Sequence, residues 1–305
     1  MPQMRGMGID MINTKELEKI RKAGGKKRRG HWIYIVAYAV LAVILLMAFF
    51  PGLFTGYDPI SQDMTALLQP PSLQHYFGTD NFGRDVFSRV VYSARLDLEI
   101  GFFAMLVPAV IGTTLGIIAG YYGGKVDAVI MRILDIFIAF PTMVLAIAIV
   151  AILGSGVRNL FIAIWLVGWR EYTRLVRSDV LVIRNSEYVE AAKTLGYSNI
   201  RIMFRHILPN VAGTVLVYAV SDIMMCMLMG ASMSFLGLGV PTPVPEWGAI
   251  LSEGRNYMMT AWWMVAFPGI FLAITGVSIS LTGQSLQERI TRRKGVRMVP
   301  KRRQL

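Results

Sequence analysis

Residues 32–50 form a run of 19 residues without a single charge. A bilayer core is about 30 Å thick and a helix rises about 1.5 Å per residue, so a run near that length can span. It is too long for the apolar core of a secretory leader, and no small-x-small cleavage site follows it. It reads as an uncleaved first helix within residues 31–53. The rest of the 305-residue chain agrees: 54% of it is hydrophobic, only 16% is charged, and the mean hydropathy is +0.52. Soluble domains sit near 45–50% apolar and 25% charged. The expected fold class is therefore an all-α, multi-span membrane protein.

Five further spans are expected. The second covers 98–120, where Ala104, Pro108, Gly112, Gly116 and Gly120 recur every four residues. Small residues at that spacing line one helix face and admit a neighbouring backbone. The third covers 128–153 and should kink at Pro141. The fourth covers 159–182. Only 159–169 of it is apolar, and Arg170, Arg174 and Arg177 then suggest a basic face leaving the bilayer. The fifth covers 211–233 and the sixth 263–283. Around them lie a basic tail at 1–30, a polar loop at 54–95, a five-helix core at 96–283 and a second basic tail at 284–305. The tails suit anionic lipid headgroups.

With six spans both termini share a side. All but five of the 31 Lys and Arg residues then fall on that side; the exceptions are Arg84, Arg89, Arg95, Arg158 and Arg255. Basic residues favour the cytoplasmic face, so both termini are expected there. The net charge of +12 then serves topology rather than nucleic-acid binding.

Residues 185–210 are a polar island on the same side. Tyr188, Ala191, Ala192 and Leu195 stand at i, i+3, i+4 and i+7, one apolar stripe of a short helix. Gly196 should stop that helix. Ser198 or Asn199 should cap a second one carrying Ile200, Met203, Phe204 and Ile207, and Pro209 should end it or begin the next span. A helix–Gly–helix hook kept in water invites a partner protein.

The hook carries Glu190-Ala191-Ala192, three residues, Gly196, nine residues, then His206-Ile207-Leu208-Pro209. It resembles the EAA loop of ABC importer permeases, E-A-A-x3-G-x9-I-x-L-P, with His206 at the isoleucine position. The ending His206 to Asn210 looks like the dipeptide/oligopeptide/nickel branch. Phe77-Gly78-Thr79-Asp80, Gly83-Arg84-Asp85 and Ser88-Arg89 are similar to the opening of that branch's second permease subunit. Ser234-Phe235-Leu236-Gly237-Leu238-Gly239, Trp247-Gly248, Trp262-Trp263 and Pro268-Gly269 are similar to its last outer loop and final helix. The resemblance runs from about 75 to 283. The chain departs from it at Gly230, where the branch often has glutamate, and at residues 283–288, where Gly-Asp-Gly-Leu-Arg-Asp is usual.

The resemblance implies a type I importer permease of six transmembrane helices in a bacterial or archaeal plasma membrane. It implies a second permease chain completing a heterodimer, two cytoplasmic ATPase subunits, and an extracytoplasmic binding protein docking on the 54–95 and 235–262 loops. Glu187, Tyr188, Glu190, Ala191, Ala192, Leu195, Gly196, His206 and Pro209 would engage the ATPases. Dipeptides or oligopeptides are the implied cargo, with nickel, glutathione or another small solute as alternatives.

This chain itself should hold no ATP or Mg. Its nearest approach to a P-loop, residues 120–126, has Ala119 where glycine is needed and Val126 where Ser or Thr is needed. It reads as a tight turn. No nucleophile–base set or metal set converges in sequence: Cys226 is the sole cysteine, and His31, His75 and His206 are far apart. The methionines at 224, 225, 227 and 229 read as pliable packing. Three ionisable groups are expected near membrane depth. Arg132 and Asp135 read as an i, i+3 ion pair. Asp222 is either a contact on the translocation path or a hydrogen-bond partner of a neighbouring helix. Asp97 and Glu99 read as solvated acids at a helix start. A secondary transporter or a membrane scaffold remains the rival class.

Overall fold

The computed structural model describes residues 31–297. The tail at 1–30 and the end of the second tail, 298–305, lie outside it. Among the described residues every regular element is helical, with one isolated bridge between Thr79 and Asp85. In chain order the α-helices are α1 (His31–Phe49), α2 (Val86–Tyr122), α3 (Gly124–Ile138), α4 (Thr142–Leu153), α5 (Val157–Ile183), α6 (Glu187–Thr194), α7 (Asn199–Ile202), α8 (Leu208–Phe235), α9 (Trp247–Gly254) and α10 (Trp263–Arg297), with short 3₁₀ or wide turns at Pro51–Leu53, Met203–Ile207 and Arg255–Tyr257.

Four helical stretches are long and apolar enough to cross a membrane: α1, α2, the continuous run Asn199–Phe235, and Trp263–Ile290 of α10. The pair α3 and α4 makes a fifth if it counts as one span, although its axes bend by 83°. Pro141 therefore breaks the expected 128–153 span rather than merely kinking it. With 27 residues α5 is long enough, but Arg158, Arg170, Glu171, Arg174, Arg177 and Asp179 lower its apolar character.

The centre of the bundle is the α2–α5 contact. A Cβ at Gly112 would run into the Trp169 carbonyl and Tyr172, one at Gly116 would sit 2.7 Å from the Thr173 carbonyl, and one at Gly120 would sit 2.7 Å from Val180. The four-residue repeat of small side chains is thus the surface on which the two backbones meet. A buried cluster of Ile100, Ala104, Leu160, Ile164, Tyr172 and Met233 fills the middle of the bundle. A second cluster, around Val86, Val90, Trp247, Trp263 and Met264, closes one end. The third lies at the hook end and joins Ile117, Val176 and Val180 to the hook itself.

Several boundaries shift from the sequence expectation. α2 begins at Val86, twelve residues before 98, because Asp85 caps it by accepting the Ser88 N–H at 2.7 Å. The polar appearance of 86–97 comes from Arg89, Ser93 and Asp97, all buried on one face of that helix. Asp97 is therefore no solvated helix-start acid: it accepts the backbone N–H of Trp247 at 3.1 Å. Glu99 is exposed and paired with Arg95 at 3.0 Å. The last helix continues past 283 to Arg297, so the second basic tail begins as helix.

Candidate coupling site

The hook is built on α6. Val189 and Ala192 turn inward, 0% and 3% exposed, against Ile202, Ile207 and Val211. The expected stripe therefore divides. Ala192 packs inside the chain, while Tyr188, Ala191 and Leu195 stay exposed, Leu195 by 71%. Ile200 and Phe204, each 65% exposed, extend the apolar surface onto the next turns. Glu187 and Glu190 are exposed beside it and lie in the first turn of α6, where the helix dipole favours acids.

Gly196 adopts φ +74°. Its N–H bonds the Lys193 carbonyl at 3.0 Å and the Tyr197 N–H bonds the Ala192 carbonyl at 3.1 Å. This is the paired 5→2 and 6→1 closure that ends a helix at a left-handed residue. Ser198 then caps α7, accepting the Arg201 N–H at 3.4 Å. The second hook helix is not a separate element. It passes through a wide turn at Met203–Ile207 into α8, and Pro209 lies in the first turn of that helix. Proline offers no N–H to the carbonyls of the preceding turn, and it sits directly after the wide turn, where the regular helical ladder is already interrupted. α7, the wide turn and α8 are thus one continuous helical run, Asn199–Phe235.

Side chains brace the hook against α2 and α3. The Tyr121 hydroxyl donates to Asn199 Oδ1 at 2.8 Å, and Lys193 Nζ lies 5.5 Å from the Tyr121 ring centre. Arg184 donates to the Gly120 carbonyl at 2.9 Å. The guanidinium of Arg177 forks onto the Asp127 carboxylate. Half-buried, His206 lies 6.1 Å from the Tyr197 ring and 6.5 Å from that of Tyr188, with Nε2 buried and unbonded. The turn at Gly123 and Gly124 (φ +65° and +52°) joins α2 to α3 in the segment that only superficially imitates a phosphate loop.

The intramembrane candidates separate. Asp222 accepts the Tyr172 hydroxyl at 2.9 Å, the hydrogen bond to a neighbouring helix. Arg132 and Asp135 are both exposed and form no ion pair. An acid C-terminal to its base is the weaker orientation on a helix. Arg170 also differs from expectation. It is buried, and donates to the Val167 and Phe137 carbonyls and to Thr142 Oγ1. The basic face is thus limited to Arg174 and Arg177.

Sequence reasoning missed a charge cluster at the far end of the bundle. Asp80 Oδ2 accepts Arg84 Nε at 2.6 Å and Arg89 Nη1 at 2.7 Å. Glu253 on α9 accepts the same two guanidiniums at 2.6 Å each. Its signal was present in the Asp80, Arg84 and Arg89 spacing; the distant acid was not. His75 Nδ1 lies 2.9 Å from Asp85 Oδ2 in the same loop. Glu246 caps α9 through the N–H groups of Gly248 and Ala249, at 3.0 and 2.7 Å. Its burial pushes the carboxyl above the ordinary glutamate range, against the pull of those two N–H groups. Gly230, the departure noted above, has a physical reason: a Cβ there would lie 2.7 Å from Ile100 Cγ2.

Three comparisons bear on this arrangement. Residues 112–296 match the family described as binding-protein-dependent transport system inner membrane component. The chain is 43% identical to the dipeptide transport system permease protein DppC of Alkalihalophilus pseudofirmus, over 86% of each chain. It is 41% identical to the glutathione transport system permease protein GsiD of Pectobacterium atrosepticum, over 84% of this chain and 86% of that one. Among solved structures, an inward-facing MetNI methionine ABC transporter chain superposes with a TM-score of 0.53 at 19% identity, over 67% of this chain and 94% of that one. That last likeness concerns the fold.

Proposed function

The chain belongs to the binding-protein-dependent transport system inner membrane components, and from that premise we propose that it is the permease subunit of an ATP-driven importer of short peptides. The relatives named for dipeptide and for glutathione support a peptide cargo. The permease is a membrane subunit without chemistry of its own; ATP and Mg belong to two partner ATPases. A second permease completes the pore, and an external binding protein delivers cargo at the far end. Six spans follow if the broken α3–α4 pair and the charged α5 each count as one. Both termini and the hook are then cytoplasmic, by the distribution of Lys and Arg.

The carrying observation is the hook's exposed apolar surface, Tyr188 and Leu195 at α6 with Ile200 and Phe204 on the next turns, while Val189, Ala192, Ile202 and Ile207 lock its other side into the bundle. An apolar patch that the chain leaves in water suits a partner groove, and Glu190 beside it suits a basic group there. Closure of the ATPases on ATP would draw this hook toward its counterpart. The continuous α7–α8 run would carry the displacement into the bundle and exchange inward for outward access. This is a shift between two packings driven by differential binding. Glu190→Lys and Gly196→Val should each abolish peptide uptake and release the ATPases during purification, with membrane insertion intact. Normal uptake by both variants would overturn the coupling role.

A further inference from the structure

Backbone polar groups freed at a helix break need partners, and hydrocarbon supplies none. The chain stops being helical after Ile138 and resumes at Thr142, with the axes turned by 83°. Ala139, Phe140, Pro141 and Thr142 are exposed on this chain. A helix end also leaves its last C=O or first N–H groups without intrahelical partners, so both kinds converge here.

The break is held at a defined place. Arg170 stands thirteen residues from each end of α5, about 20 Å from either. Its Nη1 donates to the Phe137 carbonyl at 2.6 Å and its Nη2 to Thr142 Oγ1 at 2.8 Å, one bond on each side of the break. Its Nε donates to the Val167 carbonyl on its own helix at 2.8 Å. The residue is 3% exposed and all three bonds end on uncharged oxygens. With α5 spanning, this puts a cation and an open backbone near the bilayer midplane. Both are costly against lipid and are tolerated where a wet cavity lies beside them.

We propose that the break from Ala139 to Thr142 lines the aqueous path taken by the substrate, and that Arg170 is the positioning residue that fixes its shape. The ligand chemistry is that of a peptide, whose amide and carboxylate groups complement free backbone carbonyls and N–H groups. The inference rests on the importer reading above. The competing arrangement, in which the partner permease covers the break with dry side chains, is an outcome of the test.

The experiment uses the assembled transporter in proteoliposomes. Cys226→Ala removes the sole cysteine, and Ala139→Cys or Phe140→Cys is then introduced, with Val43→Cys on α1 for comparison. A positively charged methanethiosulfonate should label positions 139 and 140 at least tenfold faster than position 43. Saturating peptide with the binding protein should slow that labelling at least threefold. Labelling at the rate of position 43 would mean that protein or lipid covers the break and would overturn the proposal. Arg170→Gln should cut labelling at 139 at least fivefold and uptake at least tenfold, with Arg170→Lys intermediate. Unchanged labelling in Arg170→Gln would remove the positioning role. Should Arg170→Gln fail to assemble, Thr142→Val, which deletes one of the two cross-break acceptors, decides by the same labelling readout. Peptide uptake by the cysteine-free parent is measured first. No uptake there counts against the importer reading; uptake with an unlabelled break counts against this inference alone.

Discussion

Arg89 Nη1 donates to Glu253 Oε2 at 2.6 Å across 164 residues of sequence. The same guanidinium also holds Asp80, so one side chain ties the loop before α2 to the helix before α10. Both arginines of the cluster are 2% exposed or less. Removing one partner from a buried charge set leaves the others uncompensated, at a cost of about 3–5 kcal/mol. Glu253→Ala should therefore lower the thermal stability of the purified chain by that order. A loss below about 1 kcal/mol, on the scale of exposed pairs, would show that the cluster is hydrated and loose.

Two glycines in spans should respond oppositely to the same substitution. At Gly112 a new Cβ meets the backbone of α5, and overpacking of that kind costs about 1–3 kcal/mol. At Gly213 in α8 the nearest atom is Ile290 Cγ2 at 3.5 Å, an ordinary contact. Alanine there should add the ~0.5–1 kcal/mol that glycine forfeits inside a helix. Melting curves of Gly112→Ala and Gly213→Ala check both signs; equal shifts would contradict the α2–α5 contact.

On the hook, Val189 and Leu195 separate folding from docking. Val189→Ser removes a fully buried side chain, worth about 2 kcal/mol. Leu195→Ser alters an exposed one and should leave stability within about 0.5 kcal/mol. Yet Leu195→Ser should lower the fraction of ATPase retained through purification at least fivefold. Full retention in Leu195→Ser would remove that face from the interface.

Tyr172→Phe deletes the donor that Asp222 accepts at 2.9 Å, leaving a carboxylate inside the bundle short of a partner. The expected loss is about 1–3 kcal/mol. Asp222→Asn keeps an acceptor for the hydroxyl and should lose less. A larger loss in Asp222→Asn, read by the same melting curves, would mean that the carboxylate's charge matters more than the bond.

Local rules made the spans, the glycine stripe and the stop at Gly196 legible, because each depends on neighbours one or two turns away. A left-handed residue after an eight-residue amphipathic helix needs no distant partner, and Gly196 adopts φ +74° as such a position requires. Residues 86–95 read as loop and Asp97 as a solvated acid because buried Arg89 and Asp97 look like surface residues until Asp80, Glu253 and Trp247 reach them. Arg170 was misread for the same reason: its acceptors at Phe137 and Thr142 lie on other helices.

The sequence alone determined that this is a helical membrane chain, where most of its spans lie, and that a polar hook interrupts them. Length, apolar character and spacing are properties of a single segment, and the bilayer reads them segment by segment. Tertiary structure alone decided which charges are buried and what holds them, that the third span breaks at Pro141 instead of kinking there, and which face of the hook is left for a partner. Those are differences in solvation, and a side chain's solvation is set by the helices packed around it, such as α5 across the break at Pro141 and the far face of α6 turned toward Ile202 and Ile207.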